Sequence, residues 1–205
     1  MILGFTSDMH LGHEKALDFT CRPWNQIDEM NEGIIANINE KVKENDELYI
    51  LGDYSFKITA LEVAALRKKI YCKKVHLVPG NHDKDWNNKL VQGTFIVEQP
   101  ITVLKIDGRK YVLSHFPMAD WQSMSHESIH LHGHIHSEGS LYNEMNRIQG
   151  LYRYDVGVDA NGYSPVSMEE ILAWFDGVEC RGRVKWKDWV DETGDKRVRR
   201  KLAGL

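Results

Sequence analysis

Five short apolar runs, each ending in a cluster of polar side chains, constrain the fold of this chain more than any other feature. The runs are typical of β-strands, and the clusters are rich in aspartate and histidine. In α/β sheets, groups that follow the strand ends gather at one edge, however far apart they lie in the sequence. The sequence therefore predicts one composite site. Its five clusters contain, in chain order, Asp8 and His10; Asp53; Asn81, His82 and Asp83; His115; and His134 and His136.

The spacing of apolar residues divides the chain into an α/β half and a strand-rich half. In the first half, apolar residues recur every three or four positions over 27–42, with Asn25 as the expected N-cap, and over 61–70, which predicts two helices. Strands are expected over residues 2–6, 48–51, 75–78, 95–97, 101–106, 111–113, 129–131 and 152–158. The alternation of strands and helices in the first half favours a sheet with parallel strands.

Two local signals fix connections in the second half. Asp107-Gly108 separates two strand-like runs, and this dipeptide is a strong hairpin signal. Ser167 and Glu170 have the spacing of a capping box, which predicts the start of a last core helix.

Composition excludes several classes of protein. The chain has 205 residues, 42% of them hydrophobic, and a net charge of -4; this indicates one folded domain rather than disorder or a general nucleic-acid binder. Its three cysteines form no C-x-x-C pair, so thiolate zinc sites are not expected. No export signal or membrane-spanning run is seen, and the expected location is the cytoplasm.

The C-terminal segment differs in charge from the rest of the chain. Residues 183–205 contain eight Lys or Arg and four Asp or Glu, so we treat 1–182 as the domain and 183–205 as a basic extension. One interpretation is a solvated helix or a frayed end. The other is a contact for an acidic partner or for nucleic acid.

The polar clusters offer a mixed set of oxygen and nitrogen ligands. Two carboxylates, one amide and four imidazoles suit Mn, Fe, Zn, Ni or Co better than Ca or Mg alone. Seven ligands are too many for one catalytic ion, which usually takes three side chains and a water. They suit two ions that share a carboxylate, an arrangement used for displacement at phosphorus.

These motifs resemble those of the calcineurin-like metallophosphoesterase superfamily. The matching segments lie between residues 1 and about 175, and the chain looks closest to small stand-alone bacterial or phage phosphoesterases. The resemblance implies an α/β (α+β sandwich) fold, in which two mixed sheets pack face to face between helices and the strand ends carry a dinuclear metal site. The matching motifs are D-M-H (8–10), G-D (52–53), G-N-H-D (80–83), His115 and G-H-I-H (133–136).

The resemblance also implies a role for each residue. His82 would be a general acid that holds no metal, and Asp83 would orient it. Two divalent ions are implied, with Mn preferred over Fe, Zn, Ni or Co. Asp8, His10 and His136 would bind one ion, Asn81, His115 and His134 would bind the other, and Asp53 would bridge them.

Two segments depart from the pattern of many relatives. The residues after Asp53 read YSF, without the acidic residue that is often found there, and VGVD replaces an Asn-x-Gly-Ser-like turn after the last ligand. His13, three residues beyond His10, is either a phosphate-binding residue at the rim of the site or a surface residue.

Together these features predict a metal-dependent hydrolase of phosphate esters. A small or nucleotide-like phosphodiester is the first choice of substrate, with a metal-bridging hydroxide as nucleophile and His82 as general acid. A phosphomonoesterase and a nuclease are alternatives, although no basic stripe lines the ligand-bearing segments. Outside the enzymes, the alternatives are a protein-interaction scaffold that retains the fold and a metal-binding protein without turnover. No membrane partner is expected.

Overall fold

The computed structural model describes residues 1–84, 86 and 92–181. The basic extension at 183–205 and the proposed boundary at 182 lie outside the described residues. Within the described part, two sheets, five α-helices and two short 3-10 turns at 124–126 and 158–160 build the fold. None of the helices described is both long and apolar enough to cross a bilayer.

The first sheet contains four parallel strands and one antiparallel edge strand. In spatial order these are β4 (Ile96–Val97), β3 (Lys74–Leu77), β2 (Glu47–Ile50), β1 (Leu3–Thr6) and β9 (Val166–Ser167). Strands β1 to β4 run parallel, so their carboxyl ends lie at one edge, and only β9 runs antiparallel to β1.

The second sheet is also mixed. Its order is β5 (Ile101–Ile106), β6 (Arg109–Ser114), β7 (Ile129–His132) and β8 (Arg153–Asp155). β5 and β6 form an antiparallel hairpin across Asp107-Gly108, as predicted, while β6, β7 and β8 run parallel. The strand expected over 152–158 is shorter, because the chain leaves the sheet after Asp155 and forms a 3-10 turn from Val158.

Five helices flank the sheets. The capping box of Ser167 and Glu170 is present at the start of the last one, as expected, but Gln26 rather than Asn25 is the N-cap of the second, without a side-chain hydrogen bond. The helices are α1 (Ala16–Phe19), α2 (Ile27–Lys41), α3 (Ala60–Lys68), α4 (Leu141–Ile148) and α5 (Met168–Trp174).

The apolar pattern did not predict α4, and the structure gives the reason. Its large apolar residues, Leu141, Met145 and Ile148, are exposed, whereas Asn143 and Asn146 are buried. Asn143 exchanges hydrogen bonds with the backbone of Asp155, donating to its carbonyl and accepting from its N–H. This helix is attached to β8 by amide hydrogen bonds, so apolar periodicity cannot reveal which face is buried.

Two apolar cores hold the layers together. Residues of α2 such as Met30 and Ile34 pack with Leu48 and Ile50 of β2 on the helix side of the first sheet. Phe5, Tyr49 and Leu51 face the opposite way and pack with residues of the second sheet, including Leu113 and Leu131. Alternate residues of one strand therefore serve two cores. The predicted fold of two mixed sheets packed face to face between helices is confirmed.

Candidate metal centre

The loops that follow the strand ends bring the five predicted clusters together. The loop after β1 is tied to the loop after β2, because the N–H of Asp8 donates to Gly52 O (3.1 Å) and the N–H of His10 to Asp53 O (3.1 Å). The loops after β6 and β7 are joined in the same way, since the N–H of Gly133 donates to His115 O (3.0 Å). Backbone hydrogen bonds thus fix the relative positions of the clusters before any side chain is considered.

Five of the seven predicted ligands lie in the left-handed region of backbone conformation. L-residues with side chains rarely adopt positive φ, and such strain concentrates at functional sites. The surrounding fold must therefore hold these residues in place. The φ values are 57° for Asp8, 50° for His10, 53° for Asp53, 74° for His134 and 47° for His136.

Two glycines allow the loops to approach closely. A Cβ atom on Gly80 would lie 2.3 Å from Asp53 Oδ1, and one on Gly133 would lie 2.2 Å from Asp8 Oδ2. A larger residue in place of either glycine would displace the neighbouring carboxylate. These glycines precede predicted ligands because the backbone must pass directly over the site.

Asp8, His10 and His136 form one group, which we call the first ligand set. The Nε2 atoms of His10 and His136 are 3.2 Å apart, and His136 Nε2 lies 3.9 Å from Asp8 Oδ1. One candidate ligand atom from each residue lies within 4.8 Å of the others. Asp8 and His10 are almost completely buried.

Asn81, His115 and His134 form the second ligand set. Nε2 of His115 lies 2.9 Å from Asn81 Oδ1 and 3.2 Å from His134 Nδ1. His115 is buried, His134 is half-buried and Asn81 is exposed.

Asp53 lies between the two sets. Its Oδ2 atom is 3.6 Å from His10 Nε2 and 3.5 Å from His115 Nε2, while its Oδ1 accepts a hydrogen bond from the N–H of His82 (2.9 Å). One carboxylate oxygen therefore faces a histidine of each set. This is the position that a bridging ligand requires.

The hydrogen bonding of His115 suits a cation between these residues. Its Nδ1 lies 2.9 Å from the carbonyl oxygen of Leu51 and donates to it, which leaves Nε2 to act as a ligand. Nε2 faces the oxygens of Asn81 and Asp53, which are electron donors. In addition, Asp8 Oδ1 is buried without a hydrogen-bond partner. Carboxylate, amide and imidazole groups that converge in this way match a divalent cation.

A comparison with known families decides what kind of centre this is. The model of the calcineurin-like phosphoesterase superfamily domain matches residues 1–157, a segment that contains both ligand sets and Asp53. The chain belongs to this superfamily. Membership assigns it to a family of metal-dependent phosphoester hydrolases, as the motifs predicted.

Individual relatives of this superfamily member are distant but match over most of their length. The uncharacterized protein MJ1445 of Methanocaldococcus jannaschii is 25% identical over 170 residues, which cover 81% of this chain and 86% of that protein. The gene 66 protein of Mycobacterium phage L5 is 28% identical over 200 residues, which cover 82% and 90%. The crystal structure of AQ665, a protein of unknown function from Aquifex aeolicus, shares the fold with a TM-score of 0.66 and 24% identity, covering 84% and 98%.

Burial prepares the first ligand set of this phosphoesterase for a cation. It raises the pKa of Asp8 to about 6, although the nearby histidines oppose the shift. Burial also lowers the pKa of His10 to about 2, assisted by the positive charges of His136 and Arg22. His10 is therefore neutral at physiological pH, and metal binding needs the neutral ring.

Two residues that the sequence analysis did not identify support the first set. Asp159 Oδ2 accepts a hydrogen bond from Nδ1 of His136 (2.8 Å), which directs Nε2 of that ring towards the site. The guanidinium of Arg22 donates to both oxygens of Asp159, at 2.9 and 3.0 Å, and to the carbonyls of Asp8 and Met9. Burial alone would lower the pKa of His136, but the bond to Asp159 and the charge of Asp8 outweigh it and raise that pKa.

The sequence held one signal for this network. Asp159 belongs to the VGVD segment that departs from the pattern of many relatives, and it lies just beyond the matched residues 1–157. Arg22 gave no signal, because it lies 137 residues from its partner.

Asp83 hydrogen-bonds to backbone N–H groups and not to the His82 ring, which differs from the role that the resemblance implied. Its Oδ2 accepts from the N–H groups of Gly80 and Asp53, both at 2.8 Å, and its Oδ1 accepts from the N–H of Tyr54 (3.1 Å). Burial raises the pKa of Asp83, and these backbone bonds only partly oppose it. Asp83 thus joins the loops after β2 and β3, and the exposed His82 ring depends on other contacts.

His13 lies at the edge of the site. Its ring centroid is 5.7 Å from that of His10, and its side chain lines a cavity of about 610 Å³ between α2, α3 and the loops after β1 and β2. Apolar residues such as Ile58 and Leu66 and the charged Lys57 also line this cavity. The structure therefore places His13 between the ligand sets and a space large enough for part of a substrate.

The neighbouring histidines of the strand have a different environment. His130 and His132 are fully buried, and Nδ1 of each donates to a backbone carbonyl, that of Val112 and that of Gly133 respectively. Burial lowers their pKa values to about 4 and about 3. Both are neutral members of the core.

Proposed function

We propose that this protein hydrolyses a phosphodiester of a small or nucleotide-like compound, using two divalent ions with Mn as the first choice over Fe, Zn, Ni or Co. The observation that carries the proposal is the position of Asp53 Oδ2, 3.6 Å from a histidine of the first ligand set and 3.5 Å from one of the second. A shared carboxylate between two sets of donors fits a pair of ions. When bound, such a pair activates water as a nucleophile and neutralises charge on the phosphoryl oxygens.

The protein's own residues supply the remaining chemistry. His82 lies at the open side of the site, with its ring 5.6 Å from that of His10. An exposed imidazole there can give a proton to the departing ester oxygen, and general-acid catalysis of this kind contributes about 10²–10⁴-fold. Arg22 and Asp159 hold the first ligand set, and Asp83 holds the loop that carries His82.

Space favours a diester over a monoester, because the second substituent of a diester needs room beside the metal centre. The cavity beyond His13 provides that room, and His13 would contact the phosphate at its rim.

Metal analysis combined with an activity screen tests the proposal. The metal-depleted full-length chain is reconstituted with Mn, Ni or Zn, and each sample is assayed with bis(p-nitrophenyl) phosphate and p-nitrophenyl phosphate. We expect two ions per chain and faster hydrolysis of the diester. Two bound ions without turnover of either compound would favour the scaffold or the metal-binding protein instead, and faster hydrolysis of the monoester would favour the phosphomonoesterase.

The role of His82 is tested separately. His82→Ala should bind both ions and hydrolyse a diester about 10²–10⁴-fold more slowly. His126→Ala is the matched control, since His126 is an exposed histidine on the 3-10 turn at 124–126. A His82→Ala variant as active as the control would exclude His82 as the acid.

A nuclease is the second candidate, and the basic extension is the observation that favours it. Residues 183–205 carry a net charge of +4 from eight basic and four acidic residues. Contacts with phosphates weaken steeply as salt increases. Binding of single-stranded DNA by the full-length chain at two salt concentrations, followed by a cleavage assay, distinguishes a nuclease from an enzyme for small diesters.

A further inference from the structure

Phe56 stands where three loops of the site meet. It belongs to the YSF segment that replaces the acidic residue of many relatives. Its backbone is fixed, because its N–H donates to the carbonyl of Leu11 (3.2 Å), and Ser55 forms a parallel bridge with Leu11. The backbone that carries the Phe56 ring is therefore held against the loop after β1.

The ring of Phe56 packs edge-on against the rings of His82 and His13, and at a longer distance of 6.2 Å against that of His10. Its centroid is 4.4 Å from that of His82, with an interplanar angle of 63°, and 4.5 Å from that of His13, with an angle of 69°. Edge-to-face pairs of aromatic rings at such distances are favourable and depend on orientation. A carboxylate at this place would attract the protonated imidazole, whereas a phenyl ring restricts its orientation without a charge.

We propose that Phe56 is a positioning residue that holds the imidazole of His82 in the orientation from which it protonates the leaving oxygen. This inference rests on the proposed function. Since the hydrogen bonds of Asp83 go to backbone N–H groups, the carboxylate next to His82 in sequence does not orient its ring. The edge-to-face contact with Phe56 orients the ring instead.

The dependence on the leaving group distinguishes positioning of an acid from a structural role. p-Nitrophenolate departs readily without a proton, whereas phenol, with a pKa of about 10 like the tyrosine side chain, benefits strongly from protonation. We therefore compare methyl p-nitrophenyl phosphate with methyl phenyl phosphate. In Phe56→Leu we expect kcat/KM to fall about tenfold for the phenyl ester and less than about threefold for the nitrophenyl ester, with both metal ions retained.

Controls make this comparison specific. Phe116 is the matched aromatic residue, because its ring packs on His115 and His134, at 5.0 and 4.4 Å, on the side of the second ligand set. Phe116→Leu should leave the ratio of the kcat/KM values for the two esters unchanged. Phe56→Tyr should have the wild-type ratio. Adding Phe56→Leu to His82→Ala should change the ratio no further, since residues that act through one another are not additive.

A readout without catalysis separates this inference from the proposed function. Ring-proton resonances of His82, assigned by comparison with His82→Ala, should carry a ring-current shift in the wild type that Phe56→Leu removes. Equal slowing of both esters, an additive double variant or unchanged His82 resonances would overturn the inference. If the wild-type protein hydrolyses neither ester, the proposed function fails, and the resonances still decide whether Phe56 holds the His82 ring.

Discussion

In the first ligand set the orienting partner of His136 is a side chain, Asp159, whereas in the second set the orienting partner of His115 is a backbone carbonyl, that of Leu51. The first arrangement is a buried network that includes Arg22. The second arrangement is provided by the end of a strand and includes the exposed Asn81. The orientation of the histidine in the first set therefore depends on side chains that a mutation can remove, whereas in the second set it depends on the backbone of the sheet. Four predictions test this comparison.

The largest effect is expected from Asp53→Ala, because Asp53 faces both sets. The variant should lose both ions, and its activity should fall by about 10³-fold or more, since the stabilisation of developing charge is lost with them. Metal analysis and initial rates measure this, and Asp120→Ala, at an exposed carboxylate, is the control. Retention of one tightly bound ion would show that Asp53 belongs to a single set.

Arg22→Met should mainly affect stability. It leaves the buried carboxylate of Asp159 without its guanidinium partner, and breaking a buried pair in this way costs about 3–5 kcal/mol. Urea unfolding of the metal-free protein measures the change. Lys74→Met breaks the exposed pair with Glu47 and should cost less than about 1 kcal/mol. Similar losses for the two variants would mean that the Arg22 network adds no special stability.

Asp159→Asn should act on one set only. Without the carboxylate, the His136 ring is less firmly oriented, and changes of this kind typically weaken metal affinity by about 10–100-fold. Calorimetric titration of the metal-depleted protein with Mn²⁺ should show a lower affinity at the first ligand set, the tighter of the two sites, and an unchanged affinity at the second. If both sites weaken equally, the two sets do not differ in the way described.

The smallest expected effect is a difference in metal affinity between the two ligand sets of the wild-type protein, and Asn81 is its proposed cause. The second set has a neutral, exposed amide where the first has a buried carboxylate, so a chelator should remove its ion first, with an affinity lower by about tenfold, or about 1.4 kcal/mol. Asn81→Asp should narrow this difference. Competition with a chelator, followed by metal analysis, measures both, and simultaneous loss of the two ions would contradict the expected order.

The sequence analysis located the candidate site because its signals are local. An apolar run followed by Asp, His or Asn is visible within ten residues, and parallel strands then bring their ends to one edge. The positions of β1 to β8 and the hairpin at Asp107-Gly108 were predicted for the same reason, but the short strand β9 was not. Helix α4 was not, because the buried Asn143 and Asn146 hold it in place through hydrogen bonds rather than through apolar packing.

The roles of individual residues depended on longer distances. Asp83 stands beside His82 in the chain, yet it binds backbone N–H groups, because the loops after β2 and β3 meet there. For Phe56, the sequence showed only that its segment lacks the acidic residue found in many relatives. The side chains that support a site are selected by their neighbours in space, which adjacent positions in the sequence do not reveal.

By itself, the sequence determined the strand ends that carry candidate ligands, since apolar periodicity and short motifs encode these directly. The resemblance of those motifs to a known family then implied the two mixed sheets. Only the tertiary structure decided that Asp53 lies between two ligand sets, that Asp159 and Arg22 hold one of them, and that Phe56 packs on His82. These relations arise when loops far apart in the chain are fixed against each other by backbone hydrogen bonds and burial, and no local pattern contains that geometry.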